Sequence, residues 1–152
     1  NGRLFYHEDT TGYAYAYSAA NGQIYFSTPS DGTQTASYGN SFGTSDIVGC
    51  FADLDNNKLY FSKNGTLQNS GTGYDIQDGI YYAFGGNSYN ANTSLNFGNG
   101  TFKGVKLTGT TYADANGEGI FKYSPNQGGA ANFDSAAKNF YALCTKNIKE
   151  FG

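Results

Sequence analysis

The amino-acid sequence predicts an all-β protein, built as an antiparallel β-sandwich and followed by a C-terminal extension. Aromatic residues reach 17% of the chain, with 14 Tyr and 12 Phe, and aromatic residues are enriched in strands. The chain has 22 Gly but only 2 Pro, which is typical of short strands joined by tight turns. Residues 46–65, DIVGCFADLDNNKLYFSKNG, also alternate between two side-chain faces and contain two turn signals.

Two strands are predicted before that stretch. Tyrosines alternate with alanines over residues 13–17, which gives a strand with one aromatic face. An Asn-Gly pair at 21–22 predicts a turn, and residues 23–27 return as a second strand. Residues 28–45, rich in Ser, Thr, Gly and Asp, are predicted to form a long loop.

The stretch 46–65 is predicted to form a meander. Its first strand ends at the turn 55–57, because Asp and Asn tolerate positive φ, and its second strand covers 58–63. The Asn-Gly pair at 64–65 is a strong hairpin signal. Side chains in phase with one face of these and later strands are predicted to fill the core: Val48, Cys50, Ala52, Leu54, Leu59, Phe61, Tyr82, Phe84, Leu95 and Phe97.

Loops and short strands alternate in the next part of the chain. Residues 66–79 are predicted to form a glycine-punctuated loop, and the apolar run 80–84 a buried strand. Residues 85–93 form a further predicted loop, and 94–97 a strand that closes the sandwich. Residues 102–107 are either a strand or a connector.

Several of these segments have the order of motifs found in one known family. The motifs are Asp46-Ile47-Val48-Gly49-Cys50, Asp53-Leu54-Asp55, Leu59-Tyr60-Phe61, Asn64-Gly65, Tyr81-Tyr82-Ala83-Phe84 and Leu95-Asn96-Phe97-Gly98. Over about residues 12–102 the chain thereby resembles the SPRY family, a concanavalin-like β-sandwich of jelly-roll type. The resemblance implies a sandwich over 1–107 whose opening strands lie upstream. We therefore expect another chain, or further residues, to cover a sheet edge.

Residues 108–152 are predicted to form the C-terminal extension. Its segment 133–143 is rich in helix-favouring residues after an Asp-Ser capping pair, which predicts a short helix. The segments 121–125, FKYSP, and 141–148, YALCTKNI, resemble sequences that follow such domains in large tailed-phage virion proteins.

The distribution of charged and apolar residues argues against two kinds of partner, nucleic acid and the membrane interior. The net charge is −3 and there is no run of Lys or Arg, so nucleic acid is not an expected partner. No apolar run approaches the ~18 residues of a membrane span, so membrane insertion is not expected. Charged residues are only 14%, and a surface rich in Asn, Ser, Thr, Gly and Tyr suits a secreted or virion protein. Cys50 and Cys144 lie in apolar contexts and are predicted to be buried thiols.

The sequence offers little catalytic or metal-binding machinery. His7 is the single histidine, too few for a zinc cluster, and a solvated imidazole is predicted. A triad through His7 stays open, but no GxSxG motif accompanies it. Pairs of Asp carboxylates keep a glycoside hydrolase as a further alternative. No cofactor is expected.

One turn has oxygen ligands at a calcium-like spacing. Asp53, Asp55 and Asn57 alternate as in the start of an EF-hand loop. The sixth and twelfth positions are Lys58 and Asn64, where an EF-hand needs Gly and Glu. A hairpin turn is therefore predicted, and no metal site.

Tyrosines beside Asn, Gly or Ser occur in the predicted loops 28–45, 66–79 and 85–93. Such loops favour binding, because Tyr offers rigid contact area while Asn, Ser and Gly offer adaptable hydrogen bonds. At least two of the loops are expected to meet and present their rings. The predicted ligand-binding residues are Tyr38, Asn40, Tyr74, Asn87, Tyr89 and Asn90.

These observations predict a non-enzymatic recognition or structural module. The leading setting is a phage virion surface, appendage or fibre protein, located in the virion or outside the cell. Its partners there would be a host-surface glycan or protein, another virion subunit or copies of itself. The alternatives are an intracellular SPRY adaptor that binds a partner peptide, and a glycoside hydrolase on the same sandwich.

Overall fold

A computed structural model of the chain describes residues 5–7, 13–28, 32–83, 93–126, 133–134, 136 and 138–151. The chain forms two compact units, an N-terminal unit (Asn1–Asn69 and Gly73–Thr93) and a C-terminal unit (Ser70–Thr72 and Ser94–Gly152). The strands are, in chain order, β1 (Phe5–His7), β2 (Ala14–Tyr17), β3 (Gln23–Thr28), β4 (Gly32–Ser37), β5 (Val48–Asp53), β6 (Lys58–Lys63), β7 (Thr66–Leu67), β8 (Tyr74–Asp75), β9 (Tyr81–Ala83), β10 (Thr101–Phe102) and β11 (Val105–Lys106).

The N-terminal unit is an antiparallel β-sandwich, as predicted. One sheet has the strand order β4-β3-β2-β1-β9, and the other has the order β5-β6-β7, with β8 also paired to β6. The predicted meander is confirmed, because β5 and β6 pair residue for residue from Val48–Lys63 to Asp53–Lys58. Asn57, in the connecting turn, has a φ of 52°, which Asn tolerates. Asn64 and Gly65 also have positive φ, as a two-residue hairpin turn requires.

The core of the sandwich is an aromatic cluster between the two sheets. The predicted aromatic face of β2 is confirmed, since Tyr15 and Tyr17 are 4% and 2% exposed. The ring of Tyr17 stacks on Phe61 with centroids 5.0 Å apart. Such a ring pair stabilises the fold by about 0.5–1.5 kcal/mol beyond the contribution of its buried surface area. The buried members of the cluster are Tyr15, Tyr17, Ile24, Tyr38, Leu59, Phe61 and Ile76.

The prediction of a long loop over 28–45 is wrong, because β4 occupies Gly32–Ser37. This strand lies at the edge of its sheet, where most side chains face water, and its GTQTAS sequence has no apolar alternation to reveal it. The loop predicted over 66–79 likewise contains the two short strands β7 and β8. Pairing with β6 holds both in place, a long-range effect that local composition does not show.

The core predictions for the meander are correct for β6 and partly wrong for β5. Leu59 and Phe61 are fully buried, and Val48 and Ala52 pack against the cluster. Cys50 is exposed, because β5 is the outer strand of its sheet. The other core residue predicted next to this strand, Leu54, is 48% exposed because it belongs to the turn after β5.

The strand predicted over 80–84 is confirmed as β9, although Ile80 is 67% exposed. The side chains of Tyr82 and Phe84 lie outside the described part of the structure. The strand predicted over 94–97 is wrong: Leu95 and Phe97 are 43% and 41% exposed, in a loop.

Asn96 explains why residues 94–97 form a loop. Its Oδ1 accepts hydrogen bonds from the N–H groups of Gly98 (2.8 Å) and Gly100 (3.2 Å). Its Nδ2 donates to the carbonyl of Ile120 at 2.9 Å. A side chain that bonds the backbone locally in this way competes with strand pairing.

The C-terminal unit is organised around a buried carboxylate. Asp114 is 6% exposed, and its oxygens accept hydrogen bonds from the N–H groups of Asn116, Glu118 and Ala142 at 2.7–2.9 Å. The Nδ2 of Asn147 donates to the same carboxylate at 2.6 Å. Burial alone would raise the pKa of Asp114, but these hydrogen bonds hold the pKa below its ordinary value.

The helix predicted over 133–143 is wrong, and a helix, α1, covers Thr145–Phe151 instead. Phe133 and Ala136 form an isolated β-bridge, and Asp134 between them has a φ of 49°. The N–H of Ala142 bonds the Asp114 carboxylate rather than a helical carbonyl.

Cys144, predicted to be buried, is partly exposed. Within the part of the chain that the structure describes, no helix has the length and apolar character to cross a membrane.

Candidate functional site

Three neighbouring segments of the N-terminal unit form a surface that we call the loop face: residues 18–22, 38–47 and 63–68. Its centre is the backbone of Asn40, which is held from both sides. The Tyr17 hydroxyl donates to the Asn40 carbonyl at 2.5 Å, and the Asn40 N–H donates to Gln68 Oε1 at 2.9 Å. Gln68 is 5% exposed, so a core tyrosine and a buried amide together fix this part of the loop.

The segment 18–22 supports the start of the loop through its backbone. The N–H of Gly39 donates to the carbonyl of Gly22 at 2.8 Å, and the N–H of Phe42 donates to that of Ala19 at 3.0 Å. Gly22 has a φ of 67°, and a Cβ atom there would lie 2.1 Å from the Gly39 carbonyl oxygen. Only glycine fits this close approach of two backbones.

The turn after β6 holds the end of the loop. Asn64 Oδ1 accepts from the N–H of Ile47 at 2.9 Å, and its Nδ2 donates to Asp46 at 2.7 Å. Lys63 Nζ donates to the carbonyl of Ser41 at 2.7 Å and lies 3.3 Å from the Asp46 carboxylate. The N–H of Gly43 donates to Asp46 at 2.8 Å. That bond first, and the Asn64 amide next, lower the pKa of Asp46.

The chemistry of the loop face is that of a polar, mostly uncharged binding surface. Its exposed residues include Asn21, Asn40, Ser41, Gly43, Thr44, Ser45, Asn64 and Thr66, with Phe42 half-buried among them. Such groups make hydrogen bonds and one aromatic contact. In the described ranges no group of three or more His, Cys, Asp or Glu is placed to hold a metal ion.

The structure divides the predicted site residues. Asn40 lies exposed on the loop face. The predicted exposure of Tyr38 is wrong: its ring is 6% exposed and packs edge-on against Phe61, with centroids 5.9 Å apart. The reason is that Tyr38 follows β4 directly, where an aromatic side chain is able to enter the sandwich.

Tyr74 also belongs to the core rather than to a loop. It lies on β8, half-buried, with its ring 6.1 Å from that of Tyr15 and 5.7 Å from that of Phe26. Burial raises its pKa. Tyr38 is a buried member of the core cluster, and Tyr74 packs against that cluster. Asn87, Tyr89 and Asn90 lie outside the described residues.

Sequence reasoning missed the residues that shape the loop face. Asn64 was identified as a turn residue, but its side-chain bonds to residues 46 and 47 reach 17 or 18 positions back along the chain. Gln68 carried no signal at all. Near the other turn, Asp53 accepts from the backbone and side-chain nitrogens of Asn56 at 3.0–3.1 Å, in agreement with the predicted hairpin turn.

Comparison with known proteins identifies the class. The SPRY domain model matches residues 2–100, which is more than half of the chain, and the protein belongs to the SPRY domain family. SPRY domains are in general protein-interaction modules rather than enzymes.

A curated protein is also similar to this chain. The ATP-dependent RNA helicase Ddx1 of Drosophila melanogaster is 35% identical over 112 residues. That match covers 70% of this chain, and the chain spans 15% of the length of the helicase. No solved structure matches the chain.

Proposed function

We propose that the N-terminal unit recognises an extended segment of a partner protein on the loop face. The observation that supports this proposal is the fixed backbone of residues 38–47, whose hydrogen bonds reach segments on both sides. A loop that is ordered before binding loses little conformational entropy when a ligand docks. The surface it presents is therefore suited to specific binding without rearrangement.

The composition of the face indicates the kind of segment. Exposed amides and hydroxyls, with Asn40 at the centre, match a partner rich in neutral hydrogen-bonding groups. The half-buried ring of Phe42 offers one apolar contact. The charged groups at its edge, Asp46 and Lys63, bond each other and the loop, so a charged partner gains little from them. Asn87, Tyr89 and Asn90 remain proposed contact residues.

A peptide-display library tests this function. The chain is used to select binding peptides, whose affinities are then measured by fluorescence polarisation. Thr44→Arg puts a long cation on the exposed loop, and Asn64→Ala removes the bonds to residues 46 and 47. We expect each variant to weaken binding about tenfold or more, because one blocks the face and the other loosens it.

The matched control is Thr110→Arg, at an exposed threonine of the C-terminal unit. It should bind the selected peptides like the wild type. If Thr44→Arg and Asn64→Ala both retain full affinity while folded, the loop face is not the binding surface. If no peptides are enriched and the chain binds selectively to a glycan array, the ligand of the loop face is a carbohydrate and not a protein segment.

Two settings are proposed for this recognition. Similarity to part of an ATP-dependent RNA helicase favours an adaptor that binds a partner peptide inside the cell. The charge-poor composition and the segments 121–125 and 141–148 favour a virion protein. An antibody against the chain distinguishes them: reaction with purified phage particles supports the virion setting, and reaction confined to soluble cell extract supports the adaptor.

A further inference from the structure

Strand β4 forms one edge of the first sheet and is regular along its whole length. All six of its residues pair with β3, from Gln23–Ser37 to Thr28–Gly32, without a bulge. On its outer side, no strand within the described ranges pairs with it. A regular edge of this kind presents backbone N–H and C=O groups to any added strand.

The sequence of β4 has none of the usual protections of a sheet edge. Native edges are blunted by lysines, other inward-pointing charges, prolines or bulges, and GTQTAS has no charge and no proline. None of the eight acidic and three basic residues of the N-terminal unit lies in β4. The described side chains of β4 are exposed apart from Ala36, which is partly buried.

We propose that β4 pairs with β4 of a second copy of the chain, antiparallel and about a two-fold axis. An antiparallel pair of identical strands places each residue opposite its own symmetry mate or that of a near neighbour. A charged strand would then face its own charge, whereas β4 faces only neutral groups. Two-fold pairing also closes this contact at two copies, because it uses the β4 edge of each copy.

The side chains select one register. With the axis at Thr35, that residue faces its own copy, and Thr33 faces Ser37 of the second copy. Hydroxyl side chains on one face of the joined sheet are then opposite hydroxyl side chains, which is a favourable cross-strand combination. The dimer would display two loop faces, since residues 38–47 follow β4 directly, and partners with two binding segments would gain avidity.

Charge substitutions at the axis test the pairing. Sedimentation equilibrium of the 152-residue chain should show a monomer–dimer equilibrium. Thr35→Lys and Thr35→Glu should each weaken the dimer about tenfold, because each puts like charges opposite one another across the axis. A mixture of the two variants should restore association as a heterodimer. Thr110→Lys, on an exposed threonine of the C-terminal unit, should dimerise like the wild type.

A cysteine at the axis tests the register. In a Cys50→Ser, Cys144→Ala background, Thr35→Cys should form a disulfide-linked dimer on mild oxidation, because facing Cα atoms lie within the ~7 Å that a disulfide spans. Gln34→Cys, which would face Ala36 in this register, should form far less. Linkage through residue 34 and not 35 would overturn the register centred on Thr35.

Two results would overturn the proposal as a whole. One is a wild-type chain that stays monomeric up to its highest soluble concentration. The other is a dimer that Thr35→Lys, Thr35→Glu and Thr33→Lys all leave intact, with circular dichroism showing that each is folded. The second result would assign the dimer to another surface.

Discussion

The two compact units of this chain are stabilised in opposite ways. The N-terminal unit packs stacked aromatic rings between two sheets. The C-terminal unit is organised by the Asp114 carboxylate, and among its described hydrophobic residues only Phe133 and Ala142 are buried. In the described part of this unit, eight large hydrophobic residues are exposed: Leu95, Phe97, Val105, Tyr112, Ile120, Tyr141, Leu143 and Ile148.

The difference shows that aromatic side chains of one chain can be buried in one unit and exposed in the other. In the sandwich, alternation on paired strands directs Tyr15, Tyr17 and Phe61 into one cluster. In the C-terminal unit the strands are two residues long, too short for an alternating pattern to form a buried face. Hydrogen bonds to one carboxylate take over the role that apolar burial has elsewhere.

The largest effect is expected from Phe61→Ala in the sandwich. Phe61 is fully buried and contacts the rings of Tyr17 and Tyr38, so its removal leaves a cavity. We expect the free energy of unfolding of the N-terminal unit to fall by about 3–5 kcal/mol, measured by urea denaturation. The control is Phe97→Ala, at a ring 41% exposed. A loss of under ~1 kcal/mol for Phe61→Ala would contradict the aromatic-core description.

In the C-terminal unit, Asp114→Ala should be the most damaging single change. It leaves the N–H of Ala142 without its acceptor and removes one of the two acceptors of the buried Asn147 amide, which should cost about 2–3 kcal/mol. Hydrogen exchange at Ala142 and Glu118 should accelerate, while exchange in β6 is unchanged. Asp114→Asn keeps the shape of the side chain but loses its charge, so its stability should lie between that of the wild type and that of Asp114→Ala. Equal acceleration in both units would mean that they do not open separately.

Acid should also affect the units differently. The folded-state pKa of Asp114 lies below its ordinary 3.8, so its contribution is complete above that value and is lost as the pH falls through the folded pKa. The aromatic rings of the sandwich core do not titrate there. Hydrogen exchange followed from neutral pH to about pH 2 should show the C-terminal unit lose protection first. Asp114→Asn should remove that pH dependence, and its persistence would point to another group.

The smallest effect is expected from Val105→Ser. Val105 is 70% exposed on the β10–β11 hairpin, so the substitution removes little buried area. Urea denaturation should show a change within about 0.5 kcal/mol. A clearly larger loss would mean that this side chain is covered in solution.

The sequence predicted those parts of the fold that depend on local pattern. The β2 alternation, the 55–57 turn and the Asn64-Gly65 hairpin follow from residues close together in the chain. β4 was missed because its stability comes from the neighbouring strand β3 and not from its own composition. The helix was misplaced because Asp114, 28 residues away from Ala142, captures a backbone donor of the predicted segment.

The candidate site was predicted less well for a related reason. Loop composition singled out Tyr38 and Tyr74 as exposed rings, but tyrosine next to a strand is able to turn inward, and both do so to different degrees. Asn40 was placed correctly in an exposed loop. Gln68, which holds Asn40, and Asn64, which holds the end of the same loop, act over 17 residues or more, which a single sequence does not reveal.

The fixed loop has a consequence for how this protein can change over time. The groups that hold residues 38–47 in place are mostly backbone atoms of the loop itself and side chains outside it, such as those of Tyr17, Asn64 and Gln68. An exposed side chain such as that of Thr44 is therefore replaceable without moving the backbone that carries it. Specificity and stability are encoded at separate positions, so a lineage of such proteins is able to acquire new partners by substitution while keeping one scaffold.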